Sequence, residues 1–463
     1  MPLFPTERLA AWTHGRWTSL PVAPICGFNP DSRTVQSGQV FVALCTEKRD
    51  GHDFLASATA AGAAAALVSR VVESVDLPQL VVADPLAALQ EIARFHRQSS
   101  GVKVVGISGS AGKTSTKDLL ARLLGEVPAV LATQGNLNNH LGVPLTLLRI
   151  EPGVTRHAVV EAGIDRPGEM SGLAAMIQPD CALITLVAPA HLERLGSLET
   201  IAVEKSELLR ALPAGGLAVF PWSVWQQAPF RTLAAEACIA VPAGEAPESG
   251  AQRNRFVDFS VVHGADYTEL ALGRGEASRR FRLRRVSAGM AQNAVLALLM
   301  ASSLGVDDVS LQQRLAGWEP ARLRGELRQI GAQQVYLDCY NANPASMADS
   351  LGIFQHLAPV KLPRVYVLGG MEELGAGAAD YHRSMGAGLR LREGDRAYVV
   401  GPHAGAVAEG MFAAGCLRSQ VCIPAGLEAI RQDLAHFRGA VFVKGSRRFQ
   451  LETLFSEAAP AAH

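Results

Sequence analysis

The stretch Val102-Lys-Val-Val-Gly-Ile-Ser-Gly-Ser-Ala-Gly-Lys-Thr114 is the strongest indication of the fold class of this chain. Its apolar first half predicts a buried strand, and the glycine-rich second half predicts a tight loop. Four leucines that follow share one face of a predicted helix, namely Leu119, Leu120, Leu123 and Leu124. A strand, a glycine-rich loop and an amphipathic helix in this order are typical of a phosphate-binding loop in an α/β domain.

The loop carries the groups that bind nucleotide phosphates. Backbone N–H groups at a helix N-terminus hold phosphate oxygens, and a lysine adds positive charge. The pattern predicts ATP or GTP contacts from Gly109, Ser110, Ala111, Gly112, Lys113, Thr114 and Ser115. The Thr114 hydroxyl is the candidate magnesium ligand. The spacing departs from the usual P-loop, which needs glycine where this chain has Ile107, so a simple helix-capping loop with a solvated Lys113 is the alternative.

The α/β pattern continues on both sides of this loop. Strands are predicted at 40–44, 66–68, 102–107, 157–160 and 182–187, with helices at 56–65, 85–96 and 293–304. Residues 251–285 show a β-like, meandering pattern, and later strands end near Asp338, Leu368, Val400 and Val443. Alternating strands and helices predict parallel sheets with crossover helices. The last residues, 458–463, are expected to fray.

These segments predict an α/β protein of three domains. The N-terminal one, residues 1–98, is a small α/β domain, and the central one, residues 99–320, is a P-loop domain with a parallel sheet. The third, residues 321–463, is a Rossmann-like domain, because its rhythm of strand, loop and helix restarts after Arg324.

Composition narrows the class of protein. The 463 residues contain 43 Lys plus Arg and 43 Asp plus Glu, and this balance argues against a nucleic-acid partner. With 48% hydrophobic and 19% charged residues the chain is expected to be globular. It has neither an apolar run long enough for a bilayer nor a secretory signal pattern. The 7 cysteines lack the spacing of zinc sites or disulfide frameworks, so a cytoplasmic protein is expected.

Polar residues after the central strands are the next site candidates. Glu161 and His191 follow predicted strands, and the carboxyl ends of parallel strands are where such sheets bind ligands. A carboxylate and an imidazole can hold a divalent ion, although a helix cap and a hydrogen-bonded loop histidine remain alternatives. Thr133, Asn136, Asn138 and Asn139 form a polar, uncharged group that suits a sugar or peptide ligand and also suits plain turns.

Five stretches together resemble one enzyme family, the Mur ligases, and within it the MurF branch. They are the loop Gly106–Thr114, then Thr133–Thr146, Ala190–Ser197, Asp338–Pro344 and Gly370–Gly375. Asp31–Arg33 and Asp50–Phe54 also resemble stretches of the domain that binds UDP in this branch. The likeness covers nearly the whole chain in the family's order.

The resemblance implies an ATP-dependent amide ligase of peptidoglycan precursor synthesis, and so a link to cell shape and division. A carboxylate of UDP-N-acetylmuramoyl-tripeptide attacks the γ-phosphate of ATP, and the amine of D-alanyl-D-alanine then displaces phosphate from the acyl phosphate. ATP and Mg²⁺ are the expected cofactors, and a monomer is expected. The alternatives are a related ligase that adds one amino acid or acts on folate, a P-loop NTPase switch, and a nucleotide-binding pseudo-enzyme.

The resemblance also implies roles for individual residues. For ATP and catalysis these are Lys113, Asn293, Asp338 and Arg324, with Arg322 as an alternative register for the arginine. The magnesium ligands are Thr114, Glu161, His191 and a carbamylated Lys205. Substrate contacts are expected from Ser32, Arg33, Asp50, His52, Thr133, Asn136, Asn138, Asn139, Tyr340, Asn341 and Asn343, with Lys444 and Ser446 holding the carboxylate of the acceptor dipeptide.

Two positions depart from the family pattern. The family has histidine before the helix of Asn293, where this chain has Gly289, so adenine recognition is expected to use other groups. Asp165 stands where the family has asparagine, and no role is carried onto it.

Lys205 lies on an otherwise apolar helix face. Helical spacing places it beside Ile201, Ala202, Leu208 and Leu209, and no acidic residue lies three or four positions away. One interpretation is a lysine whose stem covers apolar surface while its ammonium reaches water. The other, which the resemblance favours, is a buried amine whose lowered pKa allows carbamylation by carbon dioxide.

Overall fold

The computed structural model describes residues 2–245 and 254–455. In this part of the chain three units follow one another, each built around its own main β-sheet. No helix within these ranges is both long and apolar enough to cross a bilayer. The predicted frayed tail at 458–463, and residues 251–253 of the predicted meander, lie outside the described residues.

The first unit is a small α/β layer. In chain order it contains α1 (Thr6–Thr13), β1 (Arg16–Trp17), β2 (Gly27–Asn29), β3 (Gln39–Val42), β4 (Cys45–Thr46), β5 (Arg49–Asp50), α2 (Leu55–Ala60), β6 (Ala65–Val68), β7 (Gln79–Val81) and α3 (Pro85–Ser99). The main sheet has the order β1-β7-β6-β3-β2, and all its pairs except β1–β7 are parallel. The helix predicted at 56–65 is shorter, because Gly62 turns the chain with φ of 94° before β6 begins.

Helix α3 joins the first unit to the second. Asp84 caps it through Oδ1, which accepts from Leu86 N at 2.8 Å, and Pro85 occupies its first turn. The helix ends at Ser99 rather than at the predicted 96, since Arg97 donates to the carbonyl of Ile177 at 3.1 Å and pairs with Asp180. One apolar core continues from the first unit into the second.

The second unit contains the phosphate loop. Its elements are β8 (Lys103–Ser108), α4 (Lys113–Leu124), β9 (Val130–Ala132), α5 (Gly142–Leu147), β10 (His157–Glu161), α6 (Glu169–Ile177), β11 (Cys181–Ile184), α7 (Leu192–Leu195), α8 (Leu198–Arg210), β12 (Leu217–Pro221), α9 (Trp222–Trp225), α10 (Ala228–Arg231), β13 (Glu236–Pro242), β14 (Asn254–His263), β15 (Tyr267–Leu272), β16 (Arg279–Arg284), α11 (Ala288–Ser303) and α12 (Asp308–Ala316). The sheet order is β16-β15-β14-β13-β12-β11-β8-β10-β9. Strands β9 to β14 pair in parallel and β14 to β16 antiparallel, which confirms the predicted parallel sheet and its meander.

Strand β11 ends at Ile184, although the apolar run continues to Val187. The residues after it bond the phosphate loop instead of extending the sheet: Thr185 Oγ1 donates to the Ala111 carbonyl at 2.6 Å, and Ser110 N donates to the Leu186 carbonyl at 2.8 Å. Helix α11 begins at Ala288, five positions before the predicted start, because the Ser287 hydroxyl accepts from Met290 N and caps it.

The third unit is a second α/β layer. It contains β17 (Glu326–Ile330), β18 (Gln333–Asp338), α13 (Pro344–Leu357), β19 (Arg364–Gly369), α14 (Ala378–Ala387), β20 (Arg396–Val400), α15 (Ala404–Ala413), β21 (Val421–Cys422), α16 (Leu427–His436) and β22 (Gly439–Lys444). The order is β17-β18-β22-β19-β20-β21, parallel except for β17. The four predicted strands are confirmed, while the edge strands β17 and β21 were not predicted.

Candidate active site

A cavity of about 870 Å³ opens at the carboxyl ends of β8, β10 and β18, between the second and third units. Most of the predicted site residues line it. They are Ser110, Ala111, Gly112, Lys113, Thr114, Ser115, Asn138, Asn139, Glu161, His191, Asn293, Arg324, Asp338, Tyr340, Asn341, Asn343 and Lys444. The fold therefore brings groups from two units to one chamber, as expected for a ligand at the carboxyl edge of parallel strands.

Two glycines allow the phosphate loop its close contacts. At Gly109, where φ is 149°, a Cβ would come within 1.9 Å of Thr185 Oγ1. At Gly112, where φ is 79°, a Cβ would lie 2.3 Å from Asn293 Nδ2. Since both positions need a left-handed or unusual backbone and no side chain, only glycine fits them. The loop thus packs tightly between β11 and α11.

Lys113 folds back over this loop. Its Nζ donates to the Gly109 carbonyl at 2.8 Å, which places the ammonium above the N-terminus of α4. Desolvation lowers the pKa of Lys113, the charge of Glu161 raises it, and Arg324 lowers it. The ammonium therefore lies close to one anionic and one cationic side chain of the cavity.

Glu161 ends β10 and is 1% exposed. Its backbone N–H donates to Thr133 Oγ1 at 3.0 Å, and its Oε1 accepts from Asn138 Nδ2 at 2.8 Å. Its Oε2 is buried and has no hydrogen-bond partner among the described residues. A buried carboxylate oxygen without a donor is costly, and a cation would satisfy it.

His191 precedes α7 in a left-handed conformation with φ of 53°. Its Nδ1 pairs with Oε2 of Glu373, which belongs to the third unit. Desolvation and the charge of Lys113 lower the pKa of His191, while Glu373 raises it. The net direction is downward, so the neutral imidazole is favoured.

Lys205 is 3% exposed, so its side chain is buried along almost all of its length. Within the described ranges its Nζ makes no hydrogen bond or ion pair, and its neighbour Glu204 accepts instead from Gly168 N at 2.6 Å. Desolvation and the charge of Lys113 lower the pKa of Lys205 well below its usual value, with Glu204 opposing them. Among the described residues, Lys205 is not one of those that line the cavity.

The third unit contributes Arg324 to the cavity. Its guanidinium stacks 4.0 Å over the ring of Tyr340, and the pKa of Lys113 responds to its charge. Arg322, the alternative register, is exposed and lines an adjoining groove, which shares Thr114 and Arg324 with the cavity. Asn343 Nδ2 donates to the Ser110 carbonyl at 3.0 Å, so this unit also contacts the phosphate loop.

Lys444 and Asp338 form a buried pair. Nζ of Lys444 lies 2.6 Å from Asp338 Oδ2, and the lysine side chain is 2% exposed. The ammonium also donates to the Asn341 carbonyl at 3.3 Å. Lys444 therefore already has an anionic partner, which weighs against its predicted contact with an acceptor carboxylate. Ser446 is buried outside the cavity, where its Oγ accepts from Glu372 N at 3.1 Å.

The polar loop before α5 serves the fold as well as the cavity. Thr133 and Asn138 both bond Glu161, and Asn139 Oδ1 caps α5 by accepting from Gly142 N at 2.9 Å. Asn136 is exposed and does not line the cavity.

The first unit holds its predicted residues away from the cavity. Asp50 accepts from His52 N at 2.9 Å and pairs with His52 and Arg70, and these bonds hold the pKa of Asp50 well below its usual range. Ser32 is buried, whereas Arg33 is 82% exposed and pairs with Asp31. The structure does not bring these residues to the phosphate loop.

Two residues in the interface between the units were missed from the sequence. Gly289 N donates to Asp349 Oδ1 at 2.8 Å, and a Cβ at Gly289 would lie 2.7 Å from Asp349 Oδ2. Burial raises the pKa of Asp349, so the carboxylate fills the space beside Gly289 at an energetic cost. Glu373 pairs with His191 in the same interface. No role was predicted for either, because each contacts a residue far away along the chain. Glu373 does lie in Gly370–Gly375, one of the stretches that resemble the family, and this was the available signal.

Three family models match the chain, in the same order as the three structural units. The model described as "Mur ligase family, catalytic domain" matches residues 25–97, "Mur ligase middle domain" matches 107–300, and "Mur ligase, glutamate ligase domain" matches 323–447.

Individual proteins agree with these matches. The UDP-N-acetylmuramoyl-tripeptide--D-alanyl-D-alanine ligase of Escherichia coli is 34% identical over 383 residues, 81% of each chain. The Bacillus subtilis protein of that name is 30% identical, with 83% of this chain and 82% of its own covered. The crystal structure of MurF from Acinetobacter baumannii superposes with a TM-score of 0.83 at 29% identity over 98% of both chains. MurF ligase of Thermotoga maritima in complex with ADP gives 0.76 at 25% identity, over 92% of this chain and 96% of its own.

Proposed function

The chain belongs to the Mur ligase family, and we propose that it joins D-alanyl-D-alanine to UDP-N-acetylmuramoyl-tripeptide with ATP, a step of peptidoglycan precursor synthesis. The observation that carries this function is similarity to named relatives over most of the chain. Relatives named for this reaction align with more than four-fifths of the chain, and a MurF structure superposes over 98% of it. The activity is that of an ATP-dependent ligase.

The reaction proceeds in two transfers. A carboxylate oxygen of the muramoyl tripeptide attacks the γ-phosphorus of ATP, and the bond to the β-phosphate oxygen breaks to give ADP and an acyl phosphate. The dipeptide amine then attacks the acyl carbon, loses a proton, and inorganic phosphate leaves. Phosphoryl transfer is catalysed mainly by positioning and charge stabilisation, and the intermediate must be kept from water.

The phosphate loop and two cationic side chains are the groups that we assign to stabilise the charge on the phosphates. We assign the phosphates to the backbone of Gly109, Ser110, Ala111, Gly112 and Ser115, with Lys113 and Arg324 at the transferred group. The support is that the Lys113 ammonium lies over the loop and that its pKa responds to Arg324. Asn293 and Asp338 are the proposed contacts to the base and ribose.

The residues present fit a divalent cation. In the part of the chain that the structure describes, Glu161 Oε2 is buried without a donor, and His191 offers a ring nitrogen once Glu373 holds Nδ1. We assign Mg²⁺ to these two side chains and the Thr114 hydroxyl, with Lys205 joining if it is carbamylated. When bound, Mg²⁺ would neutralise charge on the phosphate oxygens.

The muramoyl substrate is assigned to a path along the first two units. Ser32, Arg33, Asp50 and His52 are the proposed UDP contacts, and Asn136, Asn138 and Asn139 the proposed contacts to the sugar and peptide. Tyr340, Asn341 and Asn343 face the cavity from the third unit and are assigned to the acceptor side. Thr133, Lys444 and Ser446 keep structural partners, so we assign them to support of the site. We also place the domain boundaries at 98 and 320, and propose a cytoplasmic monomer without a nucleic-acid partner.

Omission of each substrate in turn tests the function. We expect phosphate release and amide product only when ATP, Mg²⁺, UDP-N-acetylmuramoyl-tripeptide and D-alanyl-D-alanine are all present. Release from ATP alone would indicate an NTPase switch, and release with a single amino acid in place of the dipeptide would indicate a related ligase. Nucleotide binding without release would identify a pseudo-enzyme.

A further inference from the structure

We propose that Glu373 is a positioning residue for His191, and that docking of the third unit therefore completes the metal-binding set of the second. The inference rests on the proposed Mg²⁺ role of Glu161 and His191. It starts from one contact, in which Oε2 of Glu373 pairs with Nδ1 of His191 across the interface between the two units.

The contact determines which nitrogen of His191 can bind a metal. A carboxylate at Nδ1 accepts the proton of that nitrogen, so the neutral ring keeps its lone pair on Nε2. Within the described part of the chain, Nε2 makes no hydrogen bond. His191 lines the cavity together with Glu161, whose Oε2 is also without a partner. A carboxylate behind a metal-binding histidine is a common arrangement that fixes both the tautomer and the ring orientation.

Glu373 is held in place by the third unit. His382 is 1% exposed, and its Nε2 accepts from Met371 N at 2.9 Å while Nδ1 donates to the Ala378 carbonyl at 2.6 Å. Ser446 N donates to the Gly370 carbonyl at 3.0 Å, and Ser446 Oγ accepts from Glu372 N. These bonds fasten the segment on both sides of Met371, so Glu373 is presented from a rigid support.

The backbone of Glu373 is itself adapted to this contact. Its φ is 61°, a left-handed conformation that is strained for a non-glycine residue. In this conformation its carbonyl accepts from Glu193 N at 3.1 Å, so backbone and side chain both engage the start of α7. Gly375 lies against the same helix, where a Cβ would come 3.3 Å from Glu193 Cα.

The contact couples metal binding to docking of the two units. His191 belongs to the second unit and Glu373 to the third, so the pair exists only while the units touch. Without Glu373 the His191 ring is free to rotate and to take the other tautomer. Metal binding and docking should therefore favour each other, since each stabilises the arrangement that the other needs.

Mn²⁺ binding in the presence of ADP tests the inference without the ligation reaction. We would measure free Mn²⁺ by electron paramagnetic resonance in the wild type and in Glu373→Ala, Glu373→Gln and Glu372→Gln. Glu373→Ala should bind Mn²⁺ about 10- to 100-fold more weakly. Glu373→Gln should lie closer to the wild type, because an amide oxygen can still accept from Nδ1. Glu372→Gln is the matched control, since this neighbour pairs with Arg448 and not with His191, and it should stay within twofold.

A second comparison separates positioning from general damage. In the His191→Ala background, Glu373→Ala should weaken Mn²⁺ binding no further, and metal-free ADP affinity should be equal in all variants. Unchanged Mn²⁺ affinity in Glu373→Ala, an additive loss in the double variant, or a parallel loss of metal-free ADP affinity would each overturn the inference. Absence of Mn²⁺ binding by the wild type would overturn it too. Because no muramoyl substrate is present, a failed ligation assay contradicts the proposed function and not this coupling.

Discussion

At the scale of single residues, the cavity contains one buried carboxylate oxygen that has no donor among the described residues. This oxygen is Oε2 of Glu161, whose other oxygen accepts from Asn138, and the pKa of nearby Lys113 responds to the charge of Glu161. Burial of an unpaired carboxylate oxygen costs stability that a folded protein keeps only where a ligand or function compensates it. The unpaired oxygen of Glu161 therefore indicates that the site binds a cation.

Lys113 provides the first prediction. Lys113→Ala should lower the ligation rate by at least about 100-fold and weaken ATP binding, because it removes the ammonium that faces the transferred phosphate. Titration calorimetry with a non-hydrolysable ATP analogue and the phosphate-release assay measure the two effects. Lys361→Ala, which changes an exposed lysine, is the control. Turnover near the wild-type rate would remove Lys113 from the site.

Lys205 provides the second prediction. Lys205→Ala should lose about 10- to 100-fold in ligation rate while still folding and binding ATP, since the carbamate would be lost as a metal ligand. Added acetate should restore part of the rate by supplying a carboxylate in the vacated space. Lys205→Arg keeps the charge but cannot be carbamylated, so it should be inactive without rescue. Normal ligation by Lys205→Ala would rule out the carbamate.

At the scale of elements, most of the predicted strands and helices were confirmed. Their apolar periodicity is a local pattern, and it indicates which face of an element is buried. The ends were less predictable. Strand β11 stops where Thr185 turns to the phosphate loop, and α3 runs on because Arg97 finds carbonyls in the second unit. The short edge strands β17 and β21 carry little apolar pattern. The residue at which an element ends depends on hydrogen-bond partners from elsewhere in the chain. A local sequence pattern holds no information about these partners.

The packing of the phosphate loop on α11 gives the third prediction. Gly112→Ala should weaken ATP binding more than tenfold, because its methyl group would lie 2.3 Å from Asn293 Nδ2. Gly305→Ala, at the end of the same helix, shares a positive φ of 89° but has nothing within 4 Å. Both should lose about 1–2 kcal/mol of stability from backbone strain, measured by urea unfolding. Equal ATP affinity in the two variants would contradict the tight packing.

Helix α3 gives the fourth prediction. His96 is buried, donates from Nε2 to the Ile150 carbonyl at 2.8 Å, and has a pKa lowered by burial. Because the folded pKa lies below the unfolded value, stability from neutral His96 is present above about pH 6.5 and is lost as pH falls below it. Relative to His96→Gln, the wild type should lose about 1 kcal/mol in free energy of unfolding between pH 7.5 and 5.5. Urea titrations at both pH values measure this, and parallel changes in the two proteins would contradict it.

At the scale of the whole molecule, the units are joined in two different ways. The first and second share one apolar core, whereas the apolar clusters of the third contain only its own residues among those described. The second and third meet through polar contacts, such as Asn343 with Ser110 and Asp349 with Gly289. Polar interfaces between domains separate more easily than apolar ones, so the third unit is the part expected to move.

The fifth prediction concerns this movement. Addition of an ATP analogue with UDP-N-acetylmuramoyl-tripeptide should lower the radius of gyration in small-angle scattering, because both units supply contacts to ATP. Asp349→Ala should leave the unliganded protein more extended by removing the bond to Gly289 N. An unchanged scattering curve under saturating ligands would contradict closure, and identical curves for the variant and the wild type would show that Asp349 does not hold the units together.

The α/β class, the phosphate loop and the family could all be predicted from the amino-acid sequence. These follow from local composition: apolar runs at strand spacing, glycines at fixed positions, and motifs that stand together in a few residues. The folded chain adds three facts: among the described residues Lys205 is buried without a hydrogen-bond partner, Lys444 is already paired with Asp338, and Glu373 contacts His191. The physical reason is that burial and pairing are set by residues distant along the chain, and the spacing around a residue says nothing of which distant side chain will fill the space beside it.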